Sequence, residues 1–172
     1  MKTIAALLVM AILAFGADLK VDTKSSSMDF EATELLFVGV GGNFSDFGGT
    51  ISVEGDKITA ITGEIAVNSI YTGIARRDDH LLSSDFFDEV RYKSIFFRSI
   101  KVTDDSVEAE VTIKNITKTL TFKMKKFEVS ESGVKIKLTG VVDRTAFDID
   151  NNFMSAIIKD NIDVTATLVA KP

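Results

Sequence analysis

The sequence predicts an all-β chain: about eight antiparallel strands able to close into a barrel, with one short helical cap inserted. Three observations predict it. Apolar and polar residues alternate with a period of two along nearly the whole chain, the pattern of half-buried strands. Turn signals divide that alternation at the spacing of consecutive hairpins. One charged segment, residues 74–88, breaks the period and ends in the aromatic pair Phe86-Phe87.

The N-terminus comes first. Met1-Lys2-Thr3 precedes an apolar run from Ile4 to Phe15, shorter than the ~20 residues a helix needs to span a bilayer. A lysine, a short apolar run and the small residues Ala14, Gly16 and Ala17 predict a secretory signal peptide over 1–16, cleaved after Gly16. The competing explanation is a buried or anchoring N-terminal helix. Residues 17–172 then form one domain, long enough for a real core. Export of this kind places the mature protein in the periplasm, with no stable membrane insertion after cleavage.

The strands follow in order. Met28, Phe30, Ala32, Leu36, Val38 and Val40 fall on even positions. Ile51 and Val53 alternate, then Ile65 and Val67, then Ile95, Phe97 and Ser99. Val107 to Ile113 alternate cleanly, as do Leu120 to Met124, Val134 to Leu138 and Ile162 to Leu168. Between these runs lie Gly41-Gly42, Gly48-Gly49, Glu54-Gly55-Asp56, Asp104-Asp105, Lys114-Asn115 and Glu131-Ser132-Gly133. The single proline is Pro172, so no ladder donor is lost inside a strand. A helical turn is expected within 151–158. Lys123, Lys125, Lys135 and Lys137 occupy the face opposite the apolar one, and closure of so amphipathic a sheet removes its edges.

Composition excludes several chemistries. There is no cysteine, hence no disulfide, thiol nucleophile or lipoprotein acceptor. A single histidine, His80, argues against a metal site, and Asp78 and Asp79 beside it are poorly placed to share one ion. Ser83 and Ser84 lie near His80, but no nucleophile-elbow motif surrounds them. His80 is therefore expected to be a structural hydrogen-bonder at a helix start, and no catalytic residue is assigned. Val40-Gly41-Gly42-Asn43-Phe44 has a strand-turn context rather than that of a phosphate loop. The net charge of −5 gives no overall attraction for nucleic acid or anionic headgroups, which leaves only local basic patches.

The interior is the informative part. Thirteen phenylalanines, two tyrosines and no tryptophan supply apolar bulk with almost no polar handle. They can fill a core or line a tunnel for a long apolar chain. The inward positions give the candidate contacts for such a chain: Phe30, Glu34, Val38, Val67, Ile95, Phe97, Val111, Ile113, Phe122 and Leu138. Glu34 is the exception among them. Its register puts a carboxylate inward, whereas a bulge or a rim position would turn it outward.

The segment from Ser69 to Asp88 carries a resemblance. Ser69 and Thr72, then Arg77-Asp78-Asp79-His80-Leu81, then Asp85-Phe86-Phe87 resemble the signature of the YceI-like family of exported, lipocalin-like proteins. Val21-Asp22, Val40-Gly41-Gly42-Asn43-Phe44, Phe97-Arg98-Ser99, Val111-Thr112-Ile113 and Arg144 with Phe147 extend it over nearly all of the mature chain. Ser25-Ser26 and Glu34 stand where that family usually has histidines, and Lys93 where it has a proline. The resemblance implies an extended eight-stranded antiparallel lipocalin-like barrel. It implies a bound polyisoprenoid, isoprenoid quinone or fatty amide, no other cofactor and no catalysis, and it allows a homodimer. Arg77, Asp78, His80, Leu81, Asp85, Phe86 and Phe87 form its structural cap. Asp78 or Asp79 is expected to cap the cap helix, and one of the two phenylalanines to plug the barrel while the other packs on the strand 92–100. Two other classes remain in view: a small outer-membrane barrel and an enzyme using His80 with Asp79.

Overall fold

A computed structural model of the protein describes residues 16–34, 39–149 and 158–172. Its strands join into one closed antiparallel sheet. In chain order they are β1 (Ala17–Val21), β2 (Ser27–Glu34), β3 (Gly39–Phe44), β4 (Phe47–Glu54), β5 (Lys57–Ala66) and β6 (Ile70–Tyr71). The helix α1 (Ala75–Leu82) intervenes, and β7 (Ser94–Val102), β8 (Ser106–Ile113), β9 (Ile116–Ser130), β10 (Gly133–Asp143) and β11 (Ile158–Lys171) follow. The expected signal peptide, apart from Gly16, and Val38 lie outside the described residues. So does the helical turn expected over 151–158, except Ile158, which opens β11.

Eight strands close the barrel in the order β1-β4-β5-β7-β8-β9-β10-β11, with β11 paired back to β1. Strands β2, β3 and β6 continue β1, β4 and β5 beyond kinks and complete the wall on the far side of β11. The kinks have a sequence cause. At the first, the Asp22 carboxylate accepts from the Lys24 amide at 3.2 Å and the Ser25 hydroxyl at 2.9 Å, holding a single 3-10 turn over Thr23–Ser25. Before it, odd residues such as Leu19 face inward; after it, even residues such as Phe30 do. A strict period of two along one strand cannot show that switch.

The barrel is unevenly filled. Near the end that holds the first and last residues of the sheet, Leu19, Ile51, Val53, Val107, Val134, Ile136 and Ala170 are fully buried. There β4 and β5 come close to β9 across the interior. The up-and-down order brings the insert between β6 and β7, the β8–β9 hairpin and the segment after β10 to the opposite end. Lys114 in that hairpin donates to the Asp148 carbonyl at 2.6 Å and fastens the two together. Lys114 and Asn115 both have positive φ, the two-residue turn that suits the strand twist.

Two sequence expectations change here. Val67 is not in a strand; it opens the 3-10 turn Val67–Ser69, and its buried side chain packs in the core. The cap helix starts at Ala75, so Asp78 lies inside its first turn. Its N-cap is Ile74, with no side-chain cap.

Candidate functional site

The upper half of the barrel, beneath the cap, encloses a cavity of about 270 Å³. A water needs roughly 10–15 Å³ by the same measure, so the space admits on the order of twenty water-sized groups. Its wall is almost wholly apolar. Of the sequence-derived candidates, Phe30, Ile95, Phe97, Val111, Ile113, Phe122 and Leu138 line it. Val67 does not, because the 3-10 turn carries it behind the wall. The backbone of Glu34 pairs with Ile158, and its side chain lies outside what is described.

Aromatic rings shape the space. Phe30 packs on Phe44 at 5.6 Å between centroids, and Phe44 meets Phe87 edge-on at 6.3 Å. On the other side Phe97 and Phe122 meet at 5.5 Å. Such tilted and edge-on pairs are the favoured geometry for rings. Two glycines make room for them. A Cβ at Gly42 would overlap the Phe30 ring, and one at Gly140 would overlap the Phe122 ring. Both rings therefore lie close against the neighbouring strand.

The cap is built on Thr72. Its amide and its hydroxyl both donate to the Asp78 carboxylate. Its hydroxyl accepts from Arg77 Nε at 2.8 Å, and its carbonyl from Arg77 Nη2 at 2.8 Å. The first turn of α1 thus grips the end of the β6 strand by three groups of one residue. Asp78 serves this clasp in place of the helix-capping role expected of it. Ser69, earlier in the motif, donates to the Ala66 carbonyl at 2.7 Å and holds the preceding 3-10 turn.

After α1 the chain turns rather than starting a second helix. Both Phe86 and Phe87 consequently face the cavity, Phe86 buried and Phe87 partly so. The expectation that one ring plugs while the other packs outside assumed the ~100° divergence of helical neighbours, which a turn does not impose. Leu81 lines the cavity beside them. His80 sits in the last turn of α1, not at its start. Its carbonyl accepts from the Ser83 hydroxyl at 2.7 Å. The ring stands edge-on to Phe86 at 5.0 Å, with Nε2 3.8 Å from the Asp85 carboxylate. Nearly half of this side chain is exposed, so it forms part of the cavity rim. Asp88, buried and at positive φ, pairs with Arg91 and ends the insert.

The polar residues along the wall are Thr72, Arg77 and His80 on the cap, Asp29, Thr62 and Glu64 on β2 and β5, and Arg144 after β10. Arg144 is only 5% exposed. It donates from Nη1 to the Ile149 carbonyl at 3.0 Å, from Nε to the Lys159 carbonyl at 3.3 Å and from Nη2 to the Asp160 carboxylate at 3.0 Å. These bonds fold the segment holding fully buried Phe147 against β11. Next to it, the Thr145 hydroxyl holds the Asp143 carboxyl below the usual carboxylate range. Arg144 is absent from the sequence-derived site. The available signal was an arginine directly after an apolar strand, coupled to Phe147. Among the described residues no buried side-chain polar atom lacks a partner, and no group of histidine, aspartate and glutamate could hold a metal. The arrangement can take up an apolar chain and offers it few polar contacts.

Comparison with known proteins agrees with this geometry. The family model described as YceI-like domain matches residues 19–170. A UPF0312 protein of Staphylococcus aureus strain bovine RF122 / ET3-1 is 33% identical over 141 residues, covering 76% of this chain and 81% of that protein. Among solved structures, Burkholderia cenocepacia BcnA superposes with a TM-score of 0.79 at 21% identity, covering 88% of this chain and 99% of that one. A polyisoprenoid binding domain from Saccharophagus degradans, implicated in plant cell wall breakdown, gives 0.73 at 14% identity over 89% and 97%. At these identities the structures speak to the fold alone.

Proposed function

The chain belongs to the YceI-like family, and we propose that it is a non-catalytic binding protein that holds one long apolar chain, of polyisoprenoid, quinone or fatty-amide type, beneath its cap. The observation that carries this is the cavity: bounded by strands and cap, and lined almost wholly by apolar surface. Each buried methylene is worth ~0.8 kcal/mol. A chain of about twenty carbons would gain roughly 16 kcal/mol gross, against ~4–15 kcal/mol for association and ordering. Useful affinity is thus reachable without a strong polar contact. The polyisoprenoid-binding neighbour supports the ligand class.

Two rival classes fit less well. A membrane-spanning barrel needs an apolar exterior. Here the described strands turn their apolar residues inward and expose Lys123, Lys125 and Lys135. An enzyme using His80 would need a partnered nucleophile, and His80 instead meets a phenylalanine edge and a distant carboxylate. The predicted signal peptide supports a periplasmic location, with mature protein starting at Ala17. N-terminal sequencing of protein released by osmotic shock tests that part.

The ligand reading is tested by mass spectrometry of organic extracts from protein purified without detergent, followed by titration of the delipidated protein. A co-purified prenyl or acyl chain is expected, together with saturable rebinding. A protein that ignores both chain types in titration would end this proposal. Val111→Phe, which adds bulk to the wall, should shift preference to shorter chains.

A further inference from the structure

The outer face of β9 and β10 carries a feature that the cavity does not use. Lys123, Lys125, Lys135 and Lys137 all project from it. Lys125 stands directly opposite Lys137 in the ladder. Like charges so placed destabilise a sheet. Lys135 faces Glu128 across the same ladder. Among the described residues none of the four lysines forms an ion pair, whereas neighbouring Lys126 reaches Asp104 at 2.8 Å. In their midst is Phe127, 52% exposed. Lys125 Nζ lies 5.1 Å and Lys135 Nζ 5.8 Å from its ring centroid. The ladder register shifts beside it, between Lys135 and Ile136.

We propose that this face docks on an anionic lipid bilayer, with the lysines among the headgroups and Phe127 at their depth. An aromatic ring surrounded by cations is the composition of surfaces that lie in a membrane interface. The chain as a whole is acidic, at −5, so its overall field opposes the approach. Opposed residues are ~5 Å apart and the Debye length is ~8 Å, so the lysines act together at close range. A nucleic acid suits the patch less well. Four lysines fall below the six to ten phosphate contacts that give nucleic-acid binding its characteristic strength. The docking does not depend on what the cavity holds.

The test is co-sedimentation of the full chain with vesicles of phosphatidylcholine alone and of phosphatidylcholine mixed with phosphatidylglycerol. An apolar N-terminal run would favour both vesicles alike, so the readout is the difference between them. The mixed vesicles should retain more protein, and added salt should remove the difference. Lys125→Gln and Lys137→Gln should each lower it about fivefold. Lys20→Gln, the same charge change on β1, should leave it intact. Phe127→Ser should weaken retention without changing the salt dependence. Each variant is first checked for a parent-like Tm. Lys125→Gln relieves a like-charge pair and should pass. Equal retention by both vesicles would overturn the proposal, as would a Lys20→Gln effect as large as that of Lys125→Gln. Binding of a DNA duplex with the same variant pattern would also overturn it, in favour of a different partner.

Discussion

Lys171 Nζ lies 3.0 Å from the Asp22 carboxylate, joining the last residues of β11 to the kink that separates β1 from β2. The bond to Lys171, and next the one from the Ser25 hydroxyl, holds the Asp22 carboxyl below its ordinary value. A depressed carboxylate stabilises the folded state at pH values above its unfolded pKa of ~3.9. That contribution fades as pH falls through the lower folded value. Asp22→Asn should therefore be less stable than the parent at neutral pH, with the gap closing below about pH 4. Urea melts at several pH values check this. A gap independent of pH would show that the carboxylate charge is immaterial there.

The Thr72 clasp predicts a local effect. Thr72→Val keeps the shape of the side chain but leaves Arg77 and Asp78 without their hydroxyl partner. The expected cost is about 1–3 kcal/mol. Amide exchange should quicken in residues 72–82 before the rest of the barrel. Uniform quickening would place the clasp within the global core instead.

For the aromatic end of the cap, Phe86→Ala should cost ~3–5 kcal/mol, since that ring is buried. Phe87→Ala should cost less, because its ring is only partly covered. His80→Ala should cost least of the three and leave ligand content unaltered, in keeping with a half-exposed ring at the rim. Denaturant melts alongside lipid extraction of the three variants settle the order.

Gly140 offers a way to alter the cavity from behind. Gly140→Ala drives a methyl group into the Phe122 ring, which must swing towards the space it borders. Overpacking of this kind costs roughly 1–3 kcal/mol. Long-chain ligands should be lost before short ones. An unchanged chain-length profile would mean that the ring yields along the strand.

Much of this was visible in the sequence. Alternation identified the inward residues of β8, β10 and β11, because an uninterrupted strand has an exact period of two. It failed at Val67, where a 3-10 turn interrupts the strand, and it could not show the change of parity at Thr23–Ser25. The motif residues were correctly gathered into one insert, but their roles depended on tertiary partners. Asp78 looked like a helix cap because aspartate often is one; its partner, Thr72, precedes the helix by a turn. The joint inward placement of Phe86 and Phe87 followed from a tight turn that propensity does not specify. Arg144 required the fold, since its acceptors come from residues 149, 159 and 160.

The filled far end of the barrel makes the cavity a blind one. Among the described residues, a chain of the proposed kind held there finds no way on through that filled end. Whichever end threads in first comes out last. Loading and discharge are then one route travelled in opposite directions. Half-exposed His80, on the cap at the opposite end, is then a natural place for a donor or acceptor to meet that chain. On the proposed reading, the barrel keeps and returns a cargo rather than serving as a conduit.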